Sequence, residues 1–144
     1  MKKHMSLSLI FIMLALLSAC SNKSNYDYET LINEVIEIKI VYVIQEWGPL
    51  EYDILVEIDE QNMEIFLLEL SKQEFEVLVF GDRGDLSDET CIMLIYENGA
   101  YDLISPYLTV RFHENDESFT WEPHNFNRLE FNKLIEKYTQ IHSN

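Results

Sequence analysis

Two cysteines, three prolines and four glycines in 144 residues leave little material for several kinds of site. Cys20 and Cys91 cannot build a disulfide-stapled domain, so a hydrophobic core must hold the fold together. Four glycines supply no Gly-rich phosphate loop, and no G-x-S-x-G nucleophile elbow occurs. Base is scarce as well: 10 Lys and Arg stand against 26 Asp and Glu, a net charge of −16. Nucleic-acid binding needs Lys and Arg clustered against phosphate, and that class is excluded as a partner. The chain is also not disordered, because 47% of it is apolar and regularly placed. A chain of this length suits one domain and rules out a multidomain enzyme.

The first segment differs from the rest. Residues 1–19 carry Lys2 and Lys3, no acid, and an apolar run from Met5 to Leu17. A basic end followed by an apolar stretch this short reads as a secretory signal, with an uncleaved anchor helix as the alternative. Leu17-Ser18-Ala19-Cys20 resembles the lipobox of bacterial lipoproteins. That resemblance implies that residues 1–19 are a signal peptide removed before Cys20. The Cys20 thiol then carries a diacylglycerol, with a fatty acyl chain such as palmitate on the new N-terminus. Two or three chains give stable anchoring where one would be marginal. The expected organisation is residues 1–19 as signal, 20–25 as lipidated cysteine and tether, and 26–144 as a single domain. Localisation is then the extracytoplasmic face of the cell membrane. The 125 residues after the signal keep all 26 acids and 8 of the 10 bases, a net charge of −18.

In those 125 residues Ala100 is the only alanine, while Val, Ile, Tyr, Phe, Trp and Thr are plentiful, a balance that favours strands. Ile36, Ile38, Ile40, Tyr42 and Ile44 alternate with Glu37, Lys39, Val41 and Val43 as one strand, and Tyr52 to Ile58 as a second. Trp47-Gly48-Pro49 turns between them, and a helix over residues 28–35 remains open. At Asp59, a candidate N-cap, the period changes to helical, with Met63, Phe66, Leu67 and Leu70 on one face. Phe75 to Phe80 reads as strand, and Cys91 to Tyr96, apolar on both faces, as a central strand. Asn98-Gly99 is the strongest hairpin signal. Tyr101 to Ser105, Leu108 to His113 and Ser118 to Glu122 are further strands. Asn127 caps a last helix with Phe126 and Phe131 as its hydrophobic staple, and Phe131, Leu134, Ile135, Tyr138 and Ile141 form its apolar stripe. The expected class is α+β, a mostly antiparallel sheet of about five to six strands with two helices packed on one face.

The candidate partner-binding residues are acids in two loops: Asp82, Asp85, Asp88 and Glu89, and Glu114, Asp116 and Glu117. Both loops follow strand ends, which would allow them to share one rim of the sheet. The first lacks the alternating oxygens of an EF-hand calcium loop, so a solvated acidic loop is the plainer reading. Arg83-Gly84-Asp85 matches an integrin-recognition tripeptide as a chance match. His113 and His124, flanking a hairpin, raise a zinc question, but the helical two-histidine signature is absent and no metal is expected. Cys91 reads as a small buried hydrophobe. Trp47, Trp121 and Tyr107 stand near turns, either as a partner patch or as packing at the edge of the core. No nucleophile, base and orienter can be named, so no catalytic residue and no cofactor is expected.

Glu64 to Gly81, Tyr96 to Ile104 and Phe131 to Tyr138 resemble small uncharacterised lipoproteins of low-GC Gram-positive bacteria. That likeness implies a setting without a reaction. The resulting expectation is a non-enzymatic acidic binding lipoprotein, held to the membrane by its N-terminal lipid. Its expected partner is a cationic peptide or an envelope protein, with self-protection against a cationic peptide as one version. The alternative is a cell-envelope hydrolase or accessory enzyme.

Overall fold

A computed structural model describes residues 23–46, 49–78, 84–113 and 119–141, with the side chains of Phe119, Trp121 and Ile141 left aside. Cys20, Trp47, Gly48, Phe80, Gly81, Asp82, Arg83 and the Glu114 to Ser118 segment lie outside the described residues.

The chain is α+β with an antiparallel sheet, as its residue pattern implies. In chain order the elements are β1 (Lys23–Ser24), α1 (Tyr28–Glu34), β2 (Val35–Gln45), β3 (Glu51–Glu57), α2 (Glu60–Ser71) and β4 (Phe75–Val77). They continue with β5 (Thr90–Tyr96), β6 (Tyr101–Ile104), β7 (Leu108–Phe112), β8 (Phe119–Phe126) and α3 (Arg128–Ile141). The strands form one sheet in the order β1-β4-β8-β7-β6-β5-β2-β3. Among the described residues, eight strands and three helices replace the expected five to six and two. The open helix over residues 28–35 is real, because the Asp27 carboxylate accepts from the Thr30 N–H at 3.1 Å and the Thr30 hydroxyl at 2.6 Å. The extra strand at the start comes from the polar segment read as a tether, since Lys23 and Ser24 pair with Glu76 and Phe75. At the other end β8 runs through Pro123 to Phe126. Its first half pairs with β7 and its second half with β4.

Local signals account for the helix starts. Asp59 accepts from the Asn62 N–H at 3.0 Å. Asn127 accepts from the N–H groups of Leu129 and Glu130 at 3.1 and 3.4 Å, and the Phe126 and Phe131 rings meet at 5.4 Å. Between β5 and β6, Gly99 turns the chain at φ 83, a conformation that suits glycine.

Both faces of the sheet carry a core. On one, Ile38, Ile40, Ile92, Leu94 and Ile104 pack against Leu31 of α1, Phe66, Leu67 and Leu70 of α2, and Phe131, Leu134, Ile135 and Tyr138 of α3. All three helices therefore cover the same face. The opposite face carries Val41, Val43, Cys91, Met93, Leu103, Val110 and Phe112, with Leu86 from the preceding loop. As expected for a central strand, β5 is buried from Cys91 to Leu94.

The alternation on β2 marks a strand, but its even-numbered residues are not all buried. Ile38 and Ile40 are fully buried, but Ile36 is 57% exposed and Ile44 45%. The cause is pairing. Val35 faces Tyr96 and Glu37 faces Ile95, so Ile36 is an additional residue bulged out of the β2–β5 ladder. Ile44 is bulged likewise between Val43 and Gln45, and Leu55 of β3 opposite Ile40 and Val41. Each bulge turns an aliphatic side chain outward.

Candidate functional site

The polar groups that converge in this fold come from β5 through β8 and the segment before α1. In register, Asp102 of β6 lies opposite Arg111 of β7. Asp102 faces the helix-bearing side, where its residue is 1% exposed, and a carboxylate there needs donors. Arg111 supplies two: Nε donates to Oδ1 and Nη2 to Oδ2, both at 2.7 Å, the bidentate geometry that strengthens a charged pair. The Tyr96 hydroxyl donates to Oδ2 at 2.6 Å and accepts from Arg111 Nη2 at 3.1 Å, while the guanidinium carbon lies 4.9 Å from the Tyr96 ring centre. Burial, then the Asp102 charge, raises the Tyr96 pKa, so it stays a phenol. The hydrogen bond to Asp102 raises that of Arg111.

A second chain of contacts runs beside the first. The Tyr26 hydroxyl lies 2.9 Å from Thr109 Oγ1, which lies 2.7 Å from His124 Nε2. His124 is buried against Phe75 and Phe126, and among the described residues its Nδ1 has no hydrogen-bond partner. Burial lowers its pKa to about 4, so the ring is neutral near pH 7. Tyr26, Asp102, Thr109, Arg111, Thr120 and Glu122 line a cleft of about 400 Å³ over both chains. Asp102 and Arg111 neutralise one another there, which leaves the exposed Glu122 to set the sign. Such a cleft accepts hydroxyl, amide or cationic groups and disfavours anions. Thr109 beside His124 has the spacing of a nucleophile and its base. A histidine with a pKa near 4 is nevertheless a weak base at neutral pH, and no described carboxylate orients its Nδ1.

The acidic loops stand elsewhere. Asp85, Asp88 and Glu89 belong to a segment bound to the end of β2: Asp88 N–H donates to the Val43 carbonyl at 2.8 Å, and Val43 N–H to the Glu89 carbonyl at 2.9 Å. The carboxylates also serve the loop itself. Asp85 Oδ1 accepts from the Ser87 N–H and hydroxyl at 2.9 and 2.7 Å, and Asp88 Oδ1 from the Tyr42 hydroxyl at 3.0 Å. Leu86 is fully buried beneath, its N–H held by the buried Glu46 carboxylate at 2.7 Å. Asp82, Glu114, Asp116 and Glu117 lie outside the described residues. Glu89 leads into the start of β5, whereas β7 leaves the sheet at Phe112, beside Tyr101 and through it Ile95, at the other end of β5.

The histidines separate in the same way. Phe112 pairs with Phe119 and Leu108 with Pro123, so His113 and His124 stand at opposite ends of the β7–β8 hairpin. Among the described residues no three His, Cys, Asp or Glu side chains group to hold a metal. Cys91 is buried, and desolvation pushes its thiol pKa up. Tyr107 donates to the main-chain oxygen of Asp85 at 2.9 Å, with its pKa pushed up to about 12 mainly by burial. Trp47 and the Trp121 side chain lie outside the described residues. No described helix is long and apolar enough to cross a membrane.

No protein-family model, no curated protein and no solved structure matches this chain.

The residue reading missed Tyr26, Tyr96, Asp102, Thr109, Arg111 and Thr120 as a group. One signal was available: Asp102 is a lone acid in Tyr101-Asp102-Leu103-Ile104, and Arg111 a lone base in Leu108-Thr109-Val110-Arg111-Phe112. A hairpin turning around Pro106 sets the two against each other.

Proposed function

We propose that the chain is a lipid-anchored binding module on the extracytoplasmic face of the cell membrane, and that it takes a cationic peptide or envelope protein. The observation that carries this reading is the charge excess: among the described residues, 22 acids stand against 7 bases. One-to-one pairing within the fold leaves most of that acid for solvent or a partner. Long-range attraction then steers a basic partner inward and speeds association. The Leu17-Ser18-Ala19-Cys20 motif supports the anchor. Lys23 of β1 is three residues after Cys20. That span reaches at most about 11 Å, so a lipid on Cys20 sets the β1–β4 edge beside the bilayer.

The test has two arms. Mass spectrometry of the native protein should find an acylated Cys20 as its first residue, and Cys20→Ala should leave the membrane fraction. A basic peptide should bind the purified domain with an affinity that falls steeply between low and physiological salt, where screening acts over about 8 Å. Salt-independent binding, or none, would remove the partner class. A second reading, an envelope hydrolase working at the polar cleft, rests on the 2.7 Å contact between Thr109 and His124. It requires turnover of an envelope substrate that Thr109→Val abolishes while the fold is kept.

A further inference from the structure

The two ends of the sheet are unequal. At one end β1 is a two-residue strand next to the proposed anchor. At the other, β3 is a seven-residue strand that pairs with β2 on one side, and no described residue pairs with its outer edge. Seven strand spacings separate these edges, roughly 34 Å along the sheet.

Natural edge strands are commonly blunted by charged side chains, above all lysine, by proline, by bulges or by shortness, and β3 has only its acids and the Leu55 bulge. β3, Glu51-Tyr52-Asp53-Ile54-Leu55-Val56-Glu57, has neither lysine nor proline. It carries three exposed acids and two exposed aliphatic side chains, Ile54 at 47% and Leu55 at 48%. The base opposite this strand, Lys39 of β2, is already held by Glu37 at 3.0 Å and lies 3.8 Å from Glu57. A row of open backbone groups, exposed aliphatics and acid without available base is complementary to one kind of occupant.

We infer that β3 is the docking edge, and that an extended segment carrying Lys or Arg between apolar residues adds to it as a ninth strand. This rests on the cationic-partner reading and names the surface that would serve it. Main-chain hydrogen bonds give such strand addition its grip, while alternate side chains give selectivity. A second copy of this chain is a poor occupant. Antiparallel pairing about Ile54 would set Glu51 against Glu57 twice, and like charges directly opposite are destabilising. The acids that discourage self-pairing are the ones that admit a basic strand.

The experiment uses the mature domain from Cys20 to Asn144 and a ten-residue peptide alternating lysine and valine. A control peptide of the same sequence is N-methylated through its central six residues, which keeps charge and side chains but removes donors. Affinity is measured for both, and amide exchange is followed with and without peptide. The expected result is at least tenfold weaker binding of the methylated peptide, with new exchange protection confined to Glu51–Glu57. Ile54→Lys with Leu55→Lys should weaken binding tenfold or more. Both positions are half exposed, so folding survives, and Asp53→Asn with Glu51→Gln gives a milder check. Equal, salt-dependent binding of the two peptides would overturn strand addition and leave the acidic-binding reading standing. Binding of neither peptide at low salt would remove both. Dimerisation of the free domain that Ile54→Lys abolishes would make the edge a self-interface and overturn the proposal.

Discussion

Asp102 and Arg111 face each other directly across β6 and β7, yet they sit in different surroundings: the carboxylate side chain is 2% exposed and the guanidinium side chain 47%. The acid is committed to the interior and the base bridges it to solvent. Losing the base is therefore the damaging event, because it leaves a nearly buried carboxylate without its counter-charge.

Arg111→Ala should destabilise the fold by roughly 3 kcal/mol, the lower end of the ~3–5 kcal/mol seen when a buried pair loses one partner, because Arg111 is half solvated. The double variant Asp102→Leu, Arg111→Met should recover most of that loss, since no charge remains to be satisfied. Urea unfolding of the three proteins measures this. A double variant no more stable than Arg111→Ala would show that the pair is not the cause.

His124 makes stability depend on pH. Its folded pKa of about 4 lies below the 6.5 of an unperturbed histidine, so the unfolded chain takes up the proton first. The stabilisation is complete above about pH 6.5 and is lost as pH falls from there towards 4. Between pH 6.5 and 5 His124 should account for a loss of roughly 1.5 kcal/mol, since the slope approaches 1.36 kcal/mol per pH unit only below the unfolded pKa. His124→Asn should lose much less over that window. Parallel curves for the two proteins would refute the assignment.

What could be read from the residues, and what could not, follows from the range of the signals. The Asp59 and Asn127 caps, the Phe126–Phe131 staple, the Asn98-Gly99 turn and the doubly apolar β5 each depend on neighbours a few residues away. All were legible. The exposure of Ile36 and Ile44 was not legible, because a bulge is decided by the partner strand, and their alternation with Ile38 and Ile40 carries no mark of it. Helix α1 rests on the Asp27 cap of a short stretch, and β1 on two polar residues that become a strand only beside β4. The polar cleft draws Tyr26 onto Thr109, 83 positions away, and no local pattern announces that.

Helix α3 should be needed for folding. Tyr138 is 3% exposed and meets the Phe66 ring edge-on at 4.9 Å, and Ile135 packs in the same cluster. Ile135→Ala should cost about 2–5 kcal/mol, a large share of the roughly 5–15 kcal/mol that holds a domain of this size. An unchanged melting temperature would mean that this face of the helix is not the packed one.

Asp88 is the described non-glycine residue with positive φ, at 65°, and it holds the Tyr42 hydroxyl while its backbone pairs with Val43. Asp and Asn tolerate this left-handed conformation, whereas a β-branched side chain is strained in it. Asp88→Asn keeps an acceptor oxygen for Tyr42 and should change stability by less than about 0.5 kcal/mol. Asp88→Val loses the acceptor and adds backbone strain, and should cost about 1–3 kcal/mol. Asp88→Gly separates the two effects, because it removes the acceptor and keeps the conformation. If Val and Gly are equally destabilising, the Tyr42 hydrogen bond dominates; if Gly matches Asn, the backbone does. In either case the pattern shows that this acid shapes its loop, so a partner-binding test that neutralises it should use Asn.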